Sequence, residues 1–269
     1  MNKSNIKFSI ITTTLNSGLY IKKLLDSLKK QKFKNFEHIF IDSYSTDNTI
    51  EIINSYKKIY NIKLIQKKCS IYEGFNFGIS ESKGEYLNFI GSDDIYANPS
   101  ILKKINEISL SNKKKIYYGN ILFINRTGTS LSRFYNSNTM SLNRFRFGYM
   151  PAHSSMFFHK DVFKKLGKYN LQYKIAADFD FCLKCFLNKI DHQYINYIIT
   201  KNKEGGVSNK SLTNVLKSNN EIIKILKKNK IYSNYFFILF KILKKVKTKS
   251  YYFFLNLLKS NNINLICKN

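Results

Sequence analysis

Between Phe40 and Asp94 the chain twice drives an apolar, strand-like run straight into acids. Phe40-Ile41 ends at Asp42, followed by Ser43-Tyr44-Ser45-Thr46-Asp47, and Tyr86-Leu87-Asn88-Phe89-Ile90 ends at Gly91-Ser92-Asp93-Asp94. Open α/β sheets bind ligands outside the carboxyl ends of their strands. Acids in that place hold a base, a ribose or a divalent metal, so the pattern points to an enzyme that uses a nucleotide.

The segments around these runs alternate strand and helix. Ile6 to Thr13 reads as a buried strand, and Asn16 or Ser17 is placed to cap the next helix. Ile21, Leu24, Leu25 and Leu28 recur at helical spacing. Phe36 to Asp42 is a second strand, and Thr46 is placed to cap a helix whose core face includes Ile50, Ile53 and Tyr56. Ile62 to Ile65, a helix over Glu73 to Ser82, and Glu85 to Ile90 continue the alternation. Such a pattern predicts an α/β fold with a mostly parallel central sheet. After Asn98-Pro99 and a helix to about Asn112, the pattern turns to α+β: strands at Ile116 to Ile124, Ser154 to His159 and Gln193 to Thr200, helices at Asp161 to Leu166 and Ala176 to Asn188. The expected organisation is a catalytic domain over 1–210, divided into a nucleotide-binding half (1–100) and an acceptor-binding half (101–210), then a basic helical region over 211–269.

The 269 residues, 43% of them hydrophobic, suffice for one good-sized core. The formal charge of +28 raises a nucleic-acid reading, because Lys and Arg neutralise phosphates. However, all but four of the 45 basic residues are Lys, scattered along an Asn- and Ile-rich chain, which reads as compositional bias or as attraction to an anionic membrane or substrate. No helix-turn-helix, zinc finger or RNP-like motif accompanies the charge, so nucleic acid is not an expected partner. Cys182 and Cys185 form a C-x-x-C with no second pair; with Cys69 and Cys267 they read as thiols in a reducing cytoplasm rather than a zinc site. Neither a signal peptide nor a transmembrane run is expected. From Lys201 onward fifteen lysines face two acids, and the aromatic runs 235–237 and 251–254 interrupt them. Such a tail suits an anionic membrane interface, or equally a pair of helices covering the core.

Five elements in order resemble glycosyltransferase family 2. Ser9-Ile10-Ile11-Thr12-Thr13-Thr14-Leu15-Asn16 resembles its opening strand, and Ile41-Asp42-Ser43-Tyr44-Ser45-Thr46-Asp47-Asn48-Thr49 its D-G-S-T-D-x-T element. Ile71-Tyr72-Glu73-Gly74-Phe75-Asn76-Phe77-Gly78-Ile79 resembles I-Y-D-A-M-N-K-G-I. Lys83-Gly84-Glu85-Tyr86 with Ser92-Asp93-Asp94 resembles the metal-binding G-E-Y…N-x-D-D, and Ile175-Ala176-Ala177-Asp178-Phe179-Asp180 the acceptor-side E-D-x-D. The resemblance spans about 6–210 and implies a GT-A fold: a Rossmann-like sheet flanked by helices, here followed by the basic tail.

The resemblance implies metal-dependent, inverting transfer of a hexosyl or N-acetylhexosaminyl group. The donor would be a nucleotide-diphosphate sugar, UDP first, and the acceptor a lipid-linked or cell-surface glycan in polysaccharide biosynthesis. It further implies Asp94 as ligand of Mn²⁺ or Mg²⁺ and Asp93 on the ribose or sugar. Asp42 would take the base, with Thr14, Asn16 and Ser45 lining its pocket and Glu73 standing where the family has Asp. Asp178 matches the general base that takes the acceptor's proton. His153 and Gly206 would contact donor or acceptor, and Arg144 and Arg146 an anionic acceptor. Plainer readings stand beside these. The paired acids would cap the helix after Pro99, Asp178 would be an ordinary helix-start acid, His153 a structural histidine and Gly205-Gly206 a turn. Glu73 and Ala177 also fit a degenerate sugar-nucleotide binder. The expected location is cytoplasmic, on the inner face of the cytoplasmic membrane.

Overall fold

Alternating β-branched and aromatic runs become the strands, and each amphipathic segment between them lays its apolar stripe on one sheet face. The computed structural model describes residues 6–125, 130–138, 141–205 and 211–240 and the single positions 243, 248, 250 and 251. Gly206, Cys267 and most of the second aromatic run lie outside them.

The first half comprises β1 (Phe8–Thr14), α1 (Gly18–Lys29), β2 (Phe36–Asp42), α2 (Thr49–Tyr56), β3 (Ile62–Gln66), α3 (Ile71–Glu81), β4 (Tyr86–Phe89), β5 (Ile95–Tyr96) and α4 (Ile101–Ser111). The second half adds β6 (Ile116–Ile124), β7 (Leu131–Tyr135), α5 (Leu142–Phe145), a 3₁₀ turn at His153–Ser155, β8 (Phe157–His159), α6 (Lys160–Leu166), α7 (Ala177–Leu187), β9 (His192–Lys203) and α8 (Leu212–Lys228). The described strands form one sheet in the order β3-β2-β1-β4-β8-β6-β9-β5, with β7 on β6. Strands β1 to β4 are parallel, and β8 enters antiparallel to β4 and β6. β6 and β9 run parallel again. The two-residue β5, the β7 hairpin strand and α5 were not expected, being too short to show a period.

Chain progress reverses between β1 and β4, and open α/β sheets bind ligands at the carboxyl ends of the strands at such a switch point. α1, α2 and α4 cover one sheet face around Phe8, Ile10, Leu25, Phe40 and Tyr117. α3, α6, α7 and α8 cover the other around Phe89, Phe158, Phe163 and Phe181. Ile222, Ile225 and Leu226 of α8 sit in that second core, and so does Ile238 of the 235–240 helical turn. The beginning of the basic tail therefore completes the core. Its remaining face is apolar and open, with Phe236 65% and Leu243 56% exposed.

Helix starts are capped from a distance. Ser17 makes no side-chain cap on α1; its Oγ bonds Ser92 instead, and the Gly18 amide donates to Asp47. The same Asp47 receives the Thr49 amide at the start of α2, the role the sequence suggested for Thr46. At α4 the Asn98 and Gln31 side chains take the Ser100 and Leu102 amides, so Asp93 and Asp94 do not cap that helix.

Candidate active site

The candidate site begins at the carboxyl ends of β1 and β2. Asp42 closes β2 fully buried, and its Oδ1 accepts from the Thr14 hydroxyl at 2.9 Å. The Ser45 amide donates to Oδ2 at 2.8 Å, and the Ser45 hydroxyl to Oδ1. These three donors fix the orientation of the carboxyl group at the strand end. Asn16 adopts positive φ (49°), and its Oδ1 accepts from the Thr46 amide at 2.9 Å. Its own amide donates to Ser45 Oγ, so Asn16 ties the β1 loop to the β2 loop. Glu73 is exposed in the first turn of α3, where its carboxylate accepts from the Ser70 amide and hydroxyl at 2.7 Å each. Those bonds hold it below the usual carboxylate range. It is a reciprocal helix cap in this arrangement.

The loop after β4 carries the paired acids. A Cβ placed on Gly91 would stand 3.0 Å from Asp94 Oδ2 and 3.1 Å from Asp93 Oδ1, so both carboxylates converge on one small space. Asp94 is only 8% exposed. Its Oδ2 takes the Asn202 side-chain amide at 2.7 Å, and its Oδ1 the Lys203 backbone amide at 3.2 Å. Burial, then the charge of Asp93, push Asp94 well above its ordinary value. Burial also raises Asp93, against the nearby Lys203 charge. Two crowded carboxylates whose anionic forms are disfavoured suit a hard divalent cation, which takes oxygen ligands and often only one or two carboxylates beside substrate phosphates. No cluster of three or more His, Cys, Asp or Glu occurs among the described residues. The donor set fits Mn²⁺ or Mg²⁺ on these terms.

The 3₁₀ turn at 153–155 joins this pair to the acceptor side. Ser154 Oγ lies 2.9 Å from Asn202 Nδ2 and 3.0 Å from Thr200 Oγ1, which carries the polar chain from Asp94 to the turn. Beside Ser154, His153 Nε2 bonds the Tyr169 hydroxyl at 2.8 Å, and the ring stacks on Phe89 with 5.4 Å between centroids. Burial lowers the His153 pKa, with the Asp178 charge opposing. Asp178 stands in the first turn of α7. Its Oδ1 accepts from the Tyr72 hydroxyl at 3.0 Å and from the Phe179 amide at 2.8 Å. Among the described residues no hydrogen bond reaches its Oδ2, the oxygen left to take a proton.

The two arginines lie elsewhere. The Arg146 side chain donates to the Tyr232 carbonyl at 3.0 Å, and the Ser233 hydroxyl donates to the Arg146 carbonyl. Arg146 also stacks against Phe237, so it docks the tail. Arg144, on α5, faces the Tyr149 ring. Sequence reasoning assigned no role to Asn202, Ser154, Thr200, Tyr169 or the Tyr72 hydroxyl. Only Tyr72, inside a recognisable motif, carried a signal; the others are ordinary polar residues brought together by β9 and the turn.

Comparison with known proteins bears on the family and the fold. The family model described as Glycosyl transferase family 2 matches residues 9–174. A PGL/p-HBAD biosynthesis glycosyltransferase of Mycobacterium bovis is 29% identical over 208 residues, covering 75% of this chain and 79% of that protein. The poly(ribitol-phosphate) beta-N-acetylglucosaminyltransferase TarS of Staphylococcus aureus is 38% identical over 103 residues, covering 36% of this chain and 18% of TarS. The crystal structure of S. aureus TarS aligns with TM-score 0.65 at 25% identity, over 82% of this chain and 40% of that one. TarS 1-349 in complex with UDP-GlcNAc aligns with TM-score 0.63 at 26% identity, over 74% of this chain and 58% of that one. The chain thus spans less than half of the longer TarS structure. A sheet with carboxylates at its switch point and a family match over most of its length together assign the chain to glycosyltransferase family 2, with the GT-A fold.

Proposed function

We propose that this chain is an inverting, metal-dependent glycosyltransferase that moves a hexosyl or N-acetylhexosaminyl group from a UDP-sugar to a lipid-linked or cell-surface glycan. The observation that carries the reading is the chain of contacts from Asp94 through Asn202 to Ser154, and from its neighbour His153 through Tyr169 and Tyr72 to Asp178, with Asp42 at the carboxyl end of β2 in the same sheet. Relatives named for PGL/p-HBAD biosynthesis and for poly(ribitol-phosphate) support a surface-glycan acceptor, and the UDP-GlcNAc complex of TarS supports a UDP donor.

In this reading the 1–100 half holds the nucleotide. Asp42, held in place by Thr14 and Ser45, accepts from the base, and Asp93 lies toward the ribose or sugar. Asp94, with Asp93 beside it, would hold Mn²⁺ or Mg²⁺. A cation bound there supplies Lewis-acid stabilisation for the charge that builds on the leaving diphosphate. The 101–210 half presents the acceptor. Asp178 Oδ2 takes the proton of the acceptor hydroxyl while its oxygen bonds to the anomeric carbon. The bond from that carbon to the β-phosphate oxygen breaks, and the electron pair leaves with UDP. Tyr72 and the Phe179 amide fix Oδ1, so Oδ2 keeps its aim.

The test is nucleotide release from UDP-, GDP- and dTDP-sugars with Mn²⁺, read with Asp94→Ala and Asp178→Ala variants. A lost general base lowers the rate by roughly 10²–10⁴-fold. Turnover unchanged in either variant refutes the mechanism, and nucleotide binding with no turnover on a broad acceptor panel favours a degenerate binder.

The same reading puts the protein on the inner face of the cytoplasmic membrane. No helix among the described residues is long and apolar enough to cross a membrane. The exposed face carrying Phe236, Leu239, Phe240 and Leu243 lies in the lysine-rich tail, which suits an anionic interface. Phe236→Ser with Leu243→Ser leaves the buried Ile238 in place and is expected to abolish sedimentation with phosphatidylglycerol vesicles at low salt. Equal sedimentation of variant and wild type refutes the attachment.

A further inference from the structure

We propose that Glu221 is the positioning residue for Asp178, so that the helix following the catalytic sheet sets the geometry of the base. The inference rests on the glycosyltransferase reading. Glu221 lies on α8, outside the family-matched segment. Its carboxylate accepts three consecutive backbone amides of the loop before α7: Lys174 at 2.9 Å on Oε1, then Ile175 at 2.9 Å and Ala176 at 2.8 Å on Oε2.

This loop needs an outside acceptor. Ala176 is the N-cap of α7 and offers no side-chain oxygen, although α7 carries the base in its first turn. Unpaired amides at a helix start cost free energy unless something accepts from them. A charged carboxylate is the stronger acceptor, and the positive end of the helix favours it. Glu221 thus takes the N-cap amide of Ala176 from 45 residues away, as the acid of a capping box does locally.

The clamp leads directly to the base. Ile175 donates its amide to Glu221, and its carbonyl accepts from the Tyr72 hydroxyl at 2.8 Å. That hydroxyl also lies 3.0 Å from Asp178 Oδ1. It has one proton for two acceptors. While Asp178 is anionic, the proton belongs to the carboxylate. Once Asp178 has taken the acceptor's proton, the Tyr72 proton is free to turn to the Ile175 carbonyl. Loop 174–176 therefore holds both the backbone of the base and the hydroxyl that answers its change of charge. Burial of Ile222, Ile225 and Leu226 beside Glu221 makes α8 a firm anchor for the clamp.

Glu221→Gln keeps the size of the side chain but turns an NH₂ toward at least one loop amide. The expected result is a fall in kcat of roughly 10- to 100-fold, the scale of a misplaced catalytic group. The donor KM and the UDP affinity by calorimetry stay at wild-type values, since the nucleotide half is untouched. Hydrogen exchange at amides 174–176 accelerates. In an Asp178→Asn background the same substitution brings no further loss, because a residue acting only through the base has nothing left to position. Glu221→Asp, one methylene shorter and still charged, gives an intermediate kcat and serves if the Gln variant does not fold. Full kcat in the Asp variant together with wild-type exchange at 174–176 overturns the proposal. So does an equal multiplicative loss in the Asp178→Asn background, the mark of a purely structural role. A wild-type chain that releases no nucleotide from any donor overturns the glycosyltransferase reading and this inference with it. An active wild type with a crippled Asp178→Asn and a fully active Glu221→Gln overturns this inference alone.

Discussion

Tyr72→Phe removes one oxygen from the centre of the proposed machinery and leaves the ring in place. The side chain is buried, with 8% of its surface exposed, and the ring packs against Phe75 and Tyr169. The deletion therefore opens no sizeable cavity, and its cost comes from the two contacts of the hydroxyl, 2.8 Å to the Ile175 carbonyl and 3.0 Å to Asp178 Oδ1. A hydrogen bond to a neutral group contributes about 0.5–1.5 kcal/mol and one to a charged group about 1.5–3 kcal/mol. One proton serves both acceptors, so the two figures do not add, and the expected loss is about 1.5–3 kcal/mol. At about 2–4 °C per kcal/mol for a chain near this size, the thermal midpoint falls by about 3–12 °C. Asp178 keeps only the Phe179 amide on Oδ1, so the carboxylate loses much of its orientation. A drop in kcat on the order of 10-fold is expected, at unchanged donor KM. Differential scanning fluorimetry and nucleotide release measure the two effects. A variant with wild-type midpoint and wild-type kcat would show that the hydroxyl neither anchors the loop nor orients the base, and the relay from Ile175 to Asp178 would be refuted.

Two further outcomes follow from groups remote from the candidate site. His38 is fully buried on β2 between the Thr12 and Tyr60 hydroxyls, and burial pushes its pKa from 6.5 down to about 3. The unfolded chain then binds the extra proton. Stability is complete above pH 6.5 and is lost as the pH falls toward about 3, at up to about 1.4 kcal/mol per pH unit. His153, lowered by the same cause, adds to that slope. Urea midpoints at several pH values are expected to show a shallower acid limb in His38→Gln, and an identical limb refutes the assignment. Gly84→Ala is expected to destabilise by about 2–4 kcal/mol, because the added Cβ would lie 2.5 Å from the Ser9 amide nitrogen and 2.7 Å from the Phe8 carbonyl carbon. Backbone cannot swing aside as a side chain can, and a wild-type thermal midpoint in this variant would contradict that close approach.

Local pattern carried the sequence reading far. The face of α1, the bounds of β2 and β6 and the acids at the ends of β2 and β4 follow from apolar spacing and strand punctuation, which are properties of neighbouring residues. The five ordered elements carried the family for the same reason. What escaped was everything made by contact at long range. Glu73 looked like a ligand residue, and its Oε2 takes both the amide and the hydroxyl of Ser70. Arg146 looked like an anion grip, and it holds Tyr232 and Phe237. The tail read as a membrane-binding segment or as helices covering the core; α8 fills the core and presents Glu221 to a loop 45 residues earlier.

The chain by itself determined which acids stand at strand ends and which family it belongs to, because periodicity and short motifs are written along the backbone. Only the tertiary structure decided who their partners are: Asn202 for Asp94, Tyr72 for Asp178, Glu221 for the loop beneath it. Asn, Tyr and Glu are common residues with no pattern of their own. Their roles come from hydrogen bonds whose two ends lie 45 to 108 positions apart, and no local spacing encodes that distance.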